Sequence, residues 1–444
     1  MAEEIKIPKR LLGLILSSVS AGVVPRVGAS YIAIGRTQEI ASLVKDLEFV
    51  KDDGGIMRFV IGKYGSGKSF LLTLMRGYAL EKGFVCADVD LSPERKLCGT
   101  NGAGVASYRE LIRNLSIKTS PEGGALGQII SKWLSSISME LASKGYDPES
   151  SSFESAVKAR VFEHCRDLEG HVGGFDFALV LSSYYTATVN GDEDKKSACM
   201  RWFRGEFTTK TQAKSLLRVS DIIDDENWYD YVKLWCAFFK KIGYSGFCVF
   251  IDECVNLYKI PNRISREKNY EKILSMFNDS LGGRAPGLAI FMGGTPQFLE
   301  DTRRGVYSYE ALRSRLNDKG YAIKTELSNF MGPIIRLRRM SDNELLALIK
   351  RITILHSQYH GEKPRVSDDQ MQRFVEICTD RAGADTMITP REMIREYISL
   401  LDLMLQNKDV DFWQIVGVNG EKVLSPTTLE NGDADVEFEE FDDI

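Results

Sequence analysis

Eight consecutive residues early in the chain fit the phosphate-loop pattern, in which Gly and four further residues precede Gly-Lys-Ser. They are Gly62, Lys63, Tyr64, Gly65, Ser66, Gly67, Lys68 and Ser69, followed by Phe70. Glycines let backbone N–H groups close around an anion, which the N-terminus of a following helix also favours. We expect Lys68 to reach the β and γ phosphates and the Ser69 hydroxyl to hold Mg²⁺. The pattern therefore predicts a nucleotide site for ATP and Mg²⁺.

Two acids follow a later apolar run, residues 246–251, in the Walker B pattern. Asp252 is expected to bind Mg²⁺ through its water shell, and Glu253 to align or deprotonate the attacking water. Acids at the end of a strand also occur as plain helix caps. The phosphate loop elsewhere in the chain favours the catalytic interpretation.

Four further residues are candidates for contacts near the γ phosphate. Thr295 ends the apolar run 288–294 and is predicted as sensor 1, with an ordinary turn hydroxyl as the alternative. Arg313 and Arg315 lie downstream, where an arginine finger for a neighbouring subunit is expected, although each is also typical of a surface charge. Arg391 follows a proline at a predicted first helical turn, the position of a sensor 2 arginine.

The segments around these residues predict how they are positioned. An apolar run at 57–61 precedes the phosphate loop and a helical pattern at 70–75 follows it, which indicates strand, loop and helix. Further strands are predicted at 83–91 and 335–339. The sensor strand is expected between the phosphate-loop and Walker B strands. The predicted fold class is α/β, a P-loop NTPase (AAA+-like) parallel sheet with a large all-helical insertion and a helical C-terminal lid.

The same patterns predict the domain organisation. Helical patterns without an intervening strand occupy 92–244, which is far longer than an ordinary crossover. The predicted units are an N-terminal helix and linker at 1–30, the nucleotide-binding core at 31–91 and 245–340, the helical insertion at 92–244, the lid at 341–406, and a tail at 407–444 that is acidic and expected to be disordered at its end.

The most basic part of the insertion spans residues 195–218 and includes Trp202, Phe203 and Phe207. Basic residues among aromatics suit a surface that tracks a nucleic-acid backbone and stacks on bases. The same composition suits a helix lying on another protein, and the acidic chain as a whole favours protein contact.

The composition describes an ordinary globular protein of 444 residues, with 43% hydrophobic and 27% charged residues and a formal charge of −5. Eight scattered cysteines without a Cys-x-x-Cys pair indicate reduced thiols. With neither a secretory signal nor a membrane-spanning run, we expect a cytoplasmic protein without membrane contact. His356 and His360 stand four residues apart, but no third ligand is apparent in sequence, so a metal site there is not predicted.

Several motifs together resemble a known family, the ATP-binding proteins of bacteriophage-exclusion (BREX) systems of the BrxD type. They are Gly22-Val-Val-Pro25, Ile34-Gly35-Arg36-x-x-Glu39-Ile40, the phosphate loop, Asp88-Val-Asp-Leu91, Phe250-Ile-Asp-Glu253, Met292-Gly-Gly-Thr-Pro296, the segment with Tyr309, Leu312 and Arg315, and Ile388-Thr-Pro-Arg-Glu392. The resemblance implies an AAA+-like ATPase in defence against phage, encoded beside a large helicase. The Gly-Arg element also resembles the adenine-side box of AAA+ and origin-recognition-like ATPases, which implies that the backbone near Ile34 and Gly35 faces the base.

Two functions follow from these patterns. The first is an ATPase that forms a homo-oligomer when ATP is bound and works with a helicase or another nucleic-acid-acting defence protein. The second is an ATP-dependent switch or scaffold that docks partner proteins with little turnover and no direct DNA contact. The short segment after the lid leaves no room for a winged-helix DNA-binding domain, so any direct DNA binding would use another surface. The size of the oligomer, the partner, the identity of the finger and the role of the tail stay open.

Overall fold

A computed structural model describes residues 7–99, 102–150, 152–316, 329–380 and 389–417. Its sheet contains five strands, which are β1 (Ile56–Ile61), β2 (Val85–Asp90), β3 (Phe247–Asp252), β4 (Leu288–Gly294) and β5 (Ile334–Arg336). All neighbouring pairs are parallel, and the order across the sheet is β2-β3-β4-β1-β5. β4 therefore lies between β1 and β3, as predicted.

Apolar residues on both faces explain why this sheet is parallel and internal. Every residue of β1 and of β4 is buried, as expected where helices cover both sides. The only charged residue within β1, Arg58, is compensated by Asp46, whose two carboxylate oxygens accept from it at 2.7 and 2.6 Å. The predicted α/β class with a parallel sheet is confirmed.

The described helices precede, connect and follow these strands. In chain order they are α1 (Lys9–Ser20), α2 (Thr37–Lys51), α3 (Lys68–Glu81), α4 (Ala103–Arg113), α5 (Leu126–Ser143), α6 (Phe153–Cys165), α7 (Gly174–Asn190), α8 (Glu193–Phe203), α9 (Lys210–Leu217), α10 (Trp228–Lys241), α11 (Val255–Tyr258), α12 (Arg263–Leu281), α13 (Pro296–Glu300), α14 (Glu310–Leu316), α15 (Asp342–His360), α16 (Asp368–Asp380), α17 (Pro390–Gln406) and α18 (Phe412–Val416). Sequence patterns did not predict α9, α11, α12, α13, α14 or α18, and α18 lies in the segment that was assigned to the tail. Seven of these helices, α4 to α10, separate β2 from β3. Their assignment as an insertion, and that of α15 to α17 as a lid, remain predictions.

Three apolar clusters hold these elements together. One joins one face of the sheet to the helices between β2 and β3, and another covers the opposite face with α2 and α3. The third joins α1 to α15, α16, α17 and α18 through buried residues such as Ile15, Ile349 and Tyr397. The N-terminal helix therefore shares a core with helices more than 300 residues further along the chain.

Burial of three aromatic residues contradicts one argument made from the sequence. Trp202, Phe203 and Phe207 are 1%, 0% and 2% exposed, so their rings pack in the core and cannot form a base-stacking surface. The guanidinium of Arg201 also lies over the Phe207 ring, 4.8 Å from its centroid. Aromatic and basic residues alternate in this stretch because its helices bury one face and expose the other.

Candidate nucleotide site

A cavity of about 230 Å³ lies where the phosphate loop meets the C-terminal helices. Its lining brings together eleven of the residues predicted from the sequence: Ile34, Gly35, Tyr64, Gly65, Ser66, Gly67, Lys68, Ser69, Phe70, Glu253 and Arg391. The segment 22–25, which follows α1, forms another part of the wall. The loop, the Gly-Arg element and the predicted sensor 2 position, distant in sequence, therefore line one cavity.

The phosphate loop joins β1 to α3 through two glycines in the left-handed backbone region. Gly65 and Gly67 have φ of 74° and 88°, which glycine adopts without the steric cost paid by other residues. Gly62 donates its N–H to the Gly294 carbonyl at 3.1 Å, which anchors the loop to the end of β4. A Cβ at Gly62 would lie 2.2 Å from the Ser66 hydroxyl oxygen, so the fold of the loop requires glycine there.

Lys68 is the first residue of α3, and its side chain is hydrogen bonded within the phosphate loop. Its ammonium donates to the Lys63 carbonyl oxygen at 3.1 Å. Loss of solvent lowers the pKa of Lys68, while the neighbouring Asp252 and Glu253 carboxylates act in the opposite direction. The buried Ser66 hydroxyl has no hydrogen-bond partner among the described residues. A cationic side chain, an unsatisfied hydroxyl and the N-terminus of a helix fit an anionic ligand.

The predicted Mg²⁺ ligands lie side by side. The Ser69 hydroxyl donates to Asp252 Oδ2 at 2.6 Å, which joins the start of α3 to the end of β3. A Cβ at Gly293 would lie 2.3 Å from Asp252 Oδ1, so glycine in β4 leaves the space that this carboxylate occupies. Two adjacent oxygen ligands of this kind fit a hard divalent cation.

Glu253 follows Asp252 and turns away from the strand. Its φ of 55° is unusual for a residue with a side chain, and its N–H donates to Asp252 Oδ1 at 2.8 Å. Loss of solvent in the cavity raises the pKa of the Glu253 carboxyl, and the nearby Asp252 and Asp90 carboxylates raise it further. The strand register pairs Asp90 with Asp252, so Asp90 belongs to this acidic group, although the sequence motif that contained it gave it no role.

A comparison with models of protein families identifies the family to which this chain belongs. The model of the BREX system ATP-binding protein BrxC/D family matches residues 7–419. The chain belongs to this family. A comparison with curated proteins found no match. The family match confirms the predicted resemblance. It also supports the prediction that the protein is an ATP-binding component of an anti-phage system.

Arg36 contacts the phosphate loop, and the sequence motif contained this residue without assigning it a role. One nitrogen, Nη2, donates to the Ser66 carbonyl at 3.1 Å and to the Arg338 carbonyl, and Nη1 contacts Glu39 Oε1 at 3.2 Å. Arg36 therefore ties the phosphate loop to the segment after β5. The Gly-Arg motif contained Arg36, but the two carbonyl groups that accept hydrogen bonds from it are 30 and 302 positions away.

The neighbouring Gly35 meets the first turn of α15. A Cβ at Gly35 would lie 2.5 Å from Glu344 Oε1. Arg338 holds that carboxylate with two hydrogen bonds of 2.6 and 2.8 Å, and this contact lowers the pKa of Glu344 to about 2. Glu344 also closes a capping box with Ser341 at the start of α15, which confirms the helix start predicted from the sequence.

The first turn of α17 closes the other side of the cavity. Thr389 caps this helix in a reciprocal box with Glu392, and Pro390 occupies the first turn. A Cβ at Gly65 would lie only 2.6 Å from Thr389 Cγ2. The aliphatic part of Arg391 lies over Gly22, 3.6 Å from the position of a Cβ there. The start of α17 thus touches both the phosphate loop and the turn after α1.

Six predicted residues are not among those that line the cavity within the described ranges. Gly62, Lys63 and Asp252 belong to the phosphate loop and the end of β3, and the other three are Thr295, Arg313 and Arg315. Thr295 lies at the end of β4, where its hydroxyl accepts from the Phe298 N–H at 3.2 Å as a helix cap. Arg313 and Arg315 are exposed on α14, and Arg315 donates to Asn278 Oδ1 at 3.1 Å. Their sensor and finger roles remain predictions. Within the described ranges, no helix has the length and apolar character needed to cross a bilayer.

Proposed function

We propose that this BREX-family protein binds ATP with Mg²⁺ and hydrolyses it to ADP and phosphate. The observation that carries the proposal is the acidic pair at the end of β3. Asp252 is hydrogen bonded to the phosphate-loop hydroxyl of Ser69, and Glu253 lines the same cavity as Lys68. A site for nucleotide binding alone has no need of a carboxylate with a raised pKa beside the phosphate-binding lysine.

In this mechanism the protein positions charge around the triphosphate. The N–H groups at the start of α3 and the Lys68 ammonium bind phosphate oxygens, while Ser69 and Asp252 hold Mg²⁺. When bound, Mg²⁺ neutralises charge on the phosphoryl oxygens. Glu253 orients the attacking water and accepts its proton, a task for which its raised pKa is suited.

The switch or scaffold function is the second candidate, and the composition of the cavity supports it. Residues of the phosphate loop and of α15 and α17 line the same cavity. ATP binding there would contact both sides and favour one arrangement of the C-terminal helices. In that case ATP binding exposes or orders a docking surface, and slow hydrolysis resets it.

The proposal also includes the proteins with which this chain assembles. We infer that the protein forms a homo-oligomer when ATP is bound and contacts a helicase or another defence protein through the helices between β2 and β3. Protein contact is favoured over DNA because the aromatic rings of that region are buried. The eight free cysteines support a reducing, cytoplasmic environment.

The test compares ATP binding with ATP turnover. Glu253→Gln should bind a fluorescent ATP analogue as the wild type does, while hydrolysis falls by about 100-fold or more because the base is lost. Lys68→Ala should lose both, since the main phosphate charge is removed. Undiminished hydrolysis by Glu253→Gln would refute the assignment of the base. If wild-type turnover stays negligible with and without DNA while ATP still binds, the switch function replaces the ATPase.

A further inference from the structure

The structure brings a third potential metal ligand, Asp402, close to His356 and His360. The spacing of residues in the sequence did not indicate it. Both histidines lie on one face of α15, four residues apart, and their ring centroids are 4.4 Å apart. Asp402, on α17, places Oδ1 2.9 Å from His356 Nε2. One potential ligand atom from each of the three side chains lies within 4.8 Å of the other two.

The surroundings leave space for an ion. His356 is 7% exposed and therefore held in place by packing, whereas His360 is exposed and Asp402 partly exposed. A separate cavity of about 30 Å³ is lined by both histidines and by Glu362. A single water needs only about 10–15 Å³ of such volume, so this cavity, whose lining includes both histidines but not Asp402, can hold the water that completes the coordination.

The types of ligand indicate which ion fits. Two imidazoles and one carboxylate are ligands for zinc and similar divalent transition metals, with nitrogen and oxygen atoms about 2.0–2.2 Å from the metal. Tetrahedral geometry with these bond lengths separates ligand atoms by about 3.3 Å. The exposed His360 and the partly exposed Asp402 side chains would rotate to bring the ligand atoms, now within 4.8 Å of one another, to this spacing.

We propose that His356, His360 and Asp402 bind one divalent transition-metal ion of the zinc type, with water or Glu362 supplying a further oxygen. This ion links α15 to α17 at a site distinct from the predicted Mg²⁺ site. Leu348, on α15, lines the nucleotide cavity, and His356 lies about 12 Å further along the helix axis. The ion would therefore hold together two helices whose N-terminal parts contribute residues to the nucleotide cavity.

Cobalt titration of the full-length protein, prepared without a polyhistidine tag and treated with a chelator, tests the proposal. Excess Mg²⁺ and the absence of nucleotide keep the phosphate-loop site out of the measurement. The wild type should bind one Co²⁺ per chain with the visible spectrum of nitrogen and oxygen ligands and no sulfur-to-cobalt charge-transfer band. Zn²⁺ should displace Co²⁺ and raise the temperature of unfolding.

His360→Ala is the decisive variant because the exposed side chain can be removed without opening the core. Its cobalt affinity should fall by about 100-fold or more, since one of three protein ligands is lost. Asp402→Asn should weaken binding as well, and His171→Ala, which removes a histidine on the loop before α7, should bind as the wild type does. Absence of the wild-type spectrum would mean that the His356–Asp402 contact is only a hydrogen bond between helices. An unchanged spectrum in His360→Ala would place the metal elsewhere, and either result overturns the proposal.

Discussion

Replacing Gly65 with alanine tests the contact between the phosphate loop and the start of α17. Two costs follow from the geometry. The backbone φ of 74° is left-handed, which costs an alanine about 1 kcal/mol. The new Cβ would also lie 2.6 Å from Thr389 Cγ2 and 3.0 Å from Thr389 Cβ, an overlap of the kind that costs about 1–3 kcal/mol in packed sites.

These costs should appear as lost nucleotide affinity. A mutant loop relaxes to another conformation when free and must return to the wild-type conformation to bind phosphate. A total of about 2–4 kcal/mol corresponds to a loss of roughly 30- to 700-fold. Anisotropy of a fluorescent ATP analogue measures this loss, and circular dichroism checks that the fold is retained.

A second substitution separates the two costs. Thr389→Ser removes the methyl group that clashes but keeps the hydroxyl that caps α17, so alone it should change affinity little. Combined with Gly65→Ala, it should restore much of the loss due to the clash, which is about 5- to 140-fold for 1–3 kcal/mol, and leave the backbone cost in place.

Gly77→Ala is the matched control. Gly77 lies inside α3, where an added Cβ would meet no heavy atom of the described residues within 4 Å, and alanine there should be neutral or slightly stabilising. Binding by Gly65→Ala at the level of Gly77→Ala, or no rescue by Thr389→Ser, would refute this account of the loop contact.

Three further outcomes are expected. Asp90→Asn should move the acid limb of the ATPase pH profile to lower pH, because removing a nearby negative charge lowers the pKa of Glu253 and keeps it deprotonated in more acidic buffer; an unmoved limb would contradict the acidic grouping. Arg36→Lys should weaken binding of the ATP analogue by about 10-fold or more, as measured by anisotropy, because a lysine cannot reproduce the guanidinium contacts to two carbonyl groups. Mixing Arg315→Ala with Lys68→Ala protein should restore steady-state ATP hydrolysis that neither shows alone if Arg315 acts on a neighbouring subunit, whereas no gain in an oligomer shown to exchange subunits would exclude that role.

Local patterns in the sequence were sufficient to predict the phosphate loop, the acidic pair and the strands that carry them. Each depends on residues close together in the chain, such as the glycine spacing around Lys68 and the apolar run before Asp252. Helix starts at Ser341 and Thr389 were predictable for the same reason, since a capping box lies within four residues. The family resemblance rests on such short motifs, and the match to residues 7–419 confirmed it.

Contacts between distant segments were decided only by the tertiary structure. Strand register placed Asp90 beside Asp252, and helix packing brought Thr389 against Gly65 and Asp402 against His356. The interleaved aromatics beginning at Trp202 suggested a stacking surface, yet all three are buried. Trp202 and Phe203 lie on the buried face of α8, and Phe207 is buried from the segment between α8 and α9. Spacing along the chain sets which side chains share one face of an element. How the faces of different helices and strands pair depends on packing. Packing is the sum of many weak contacts between distant residues, and no short motif contains them.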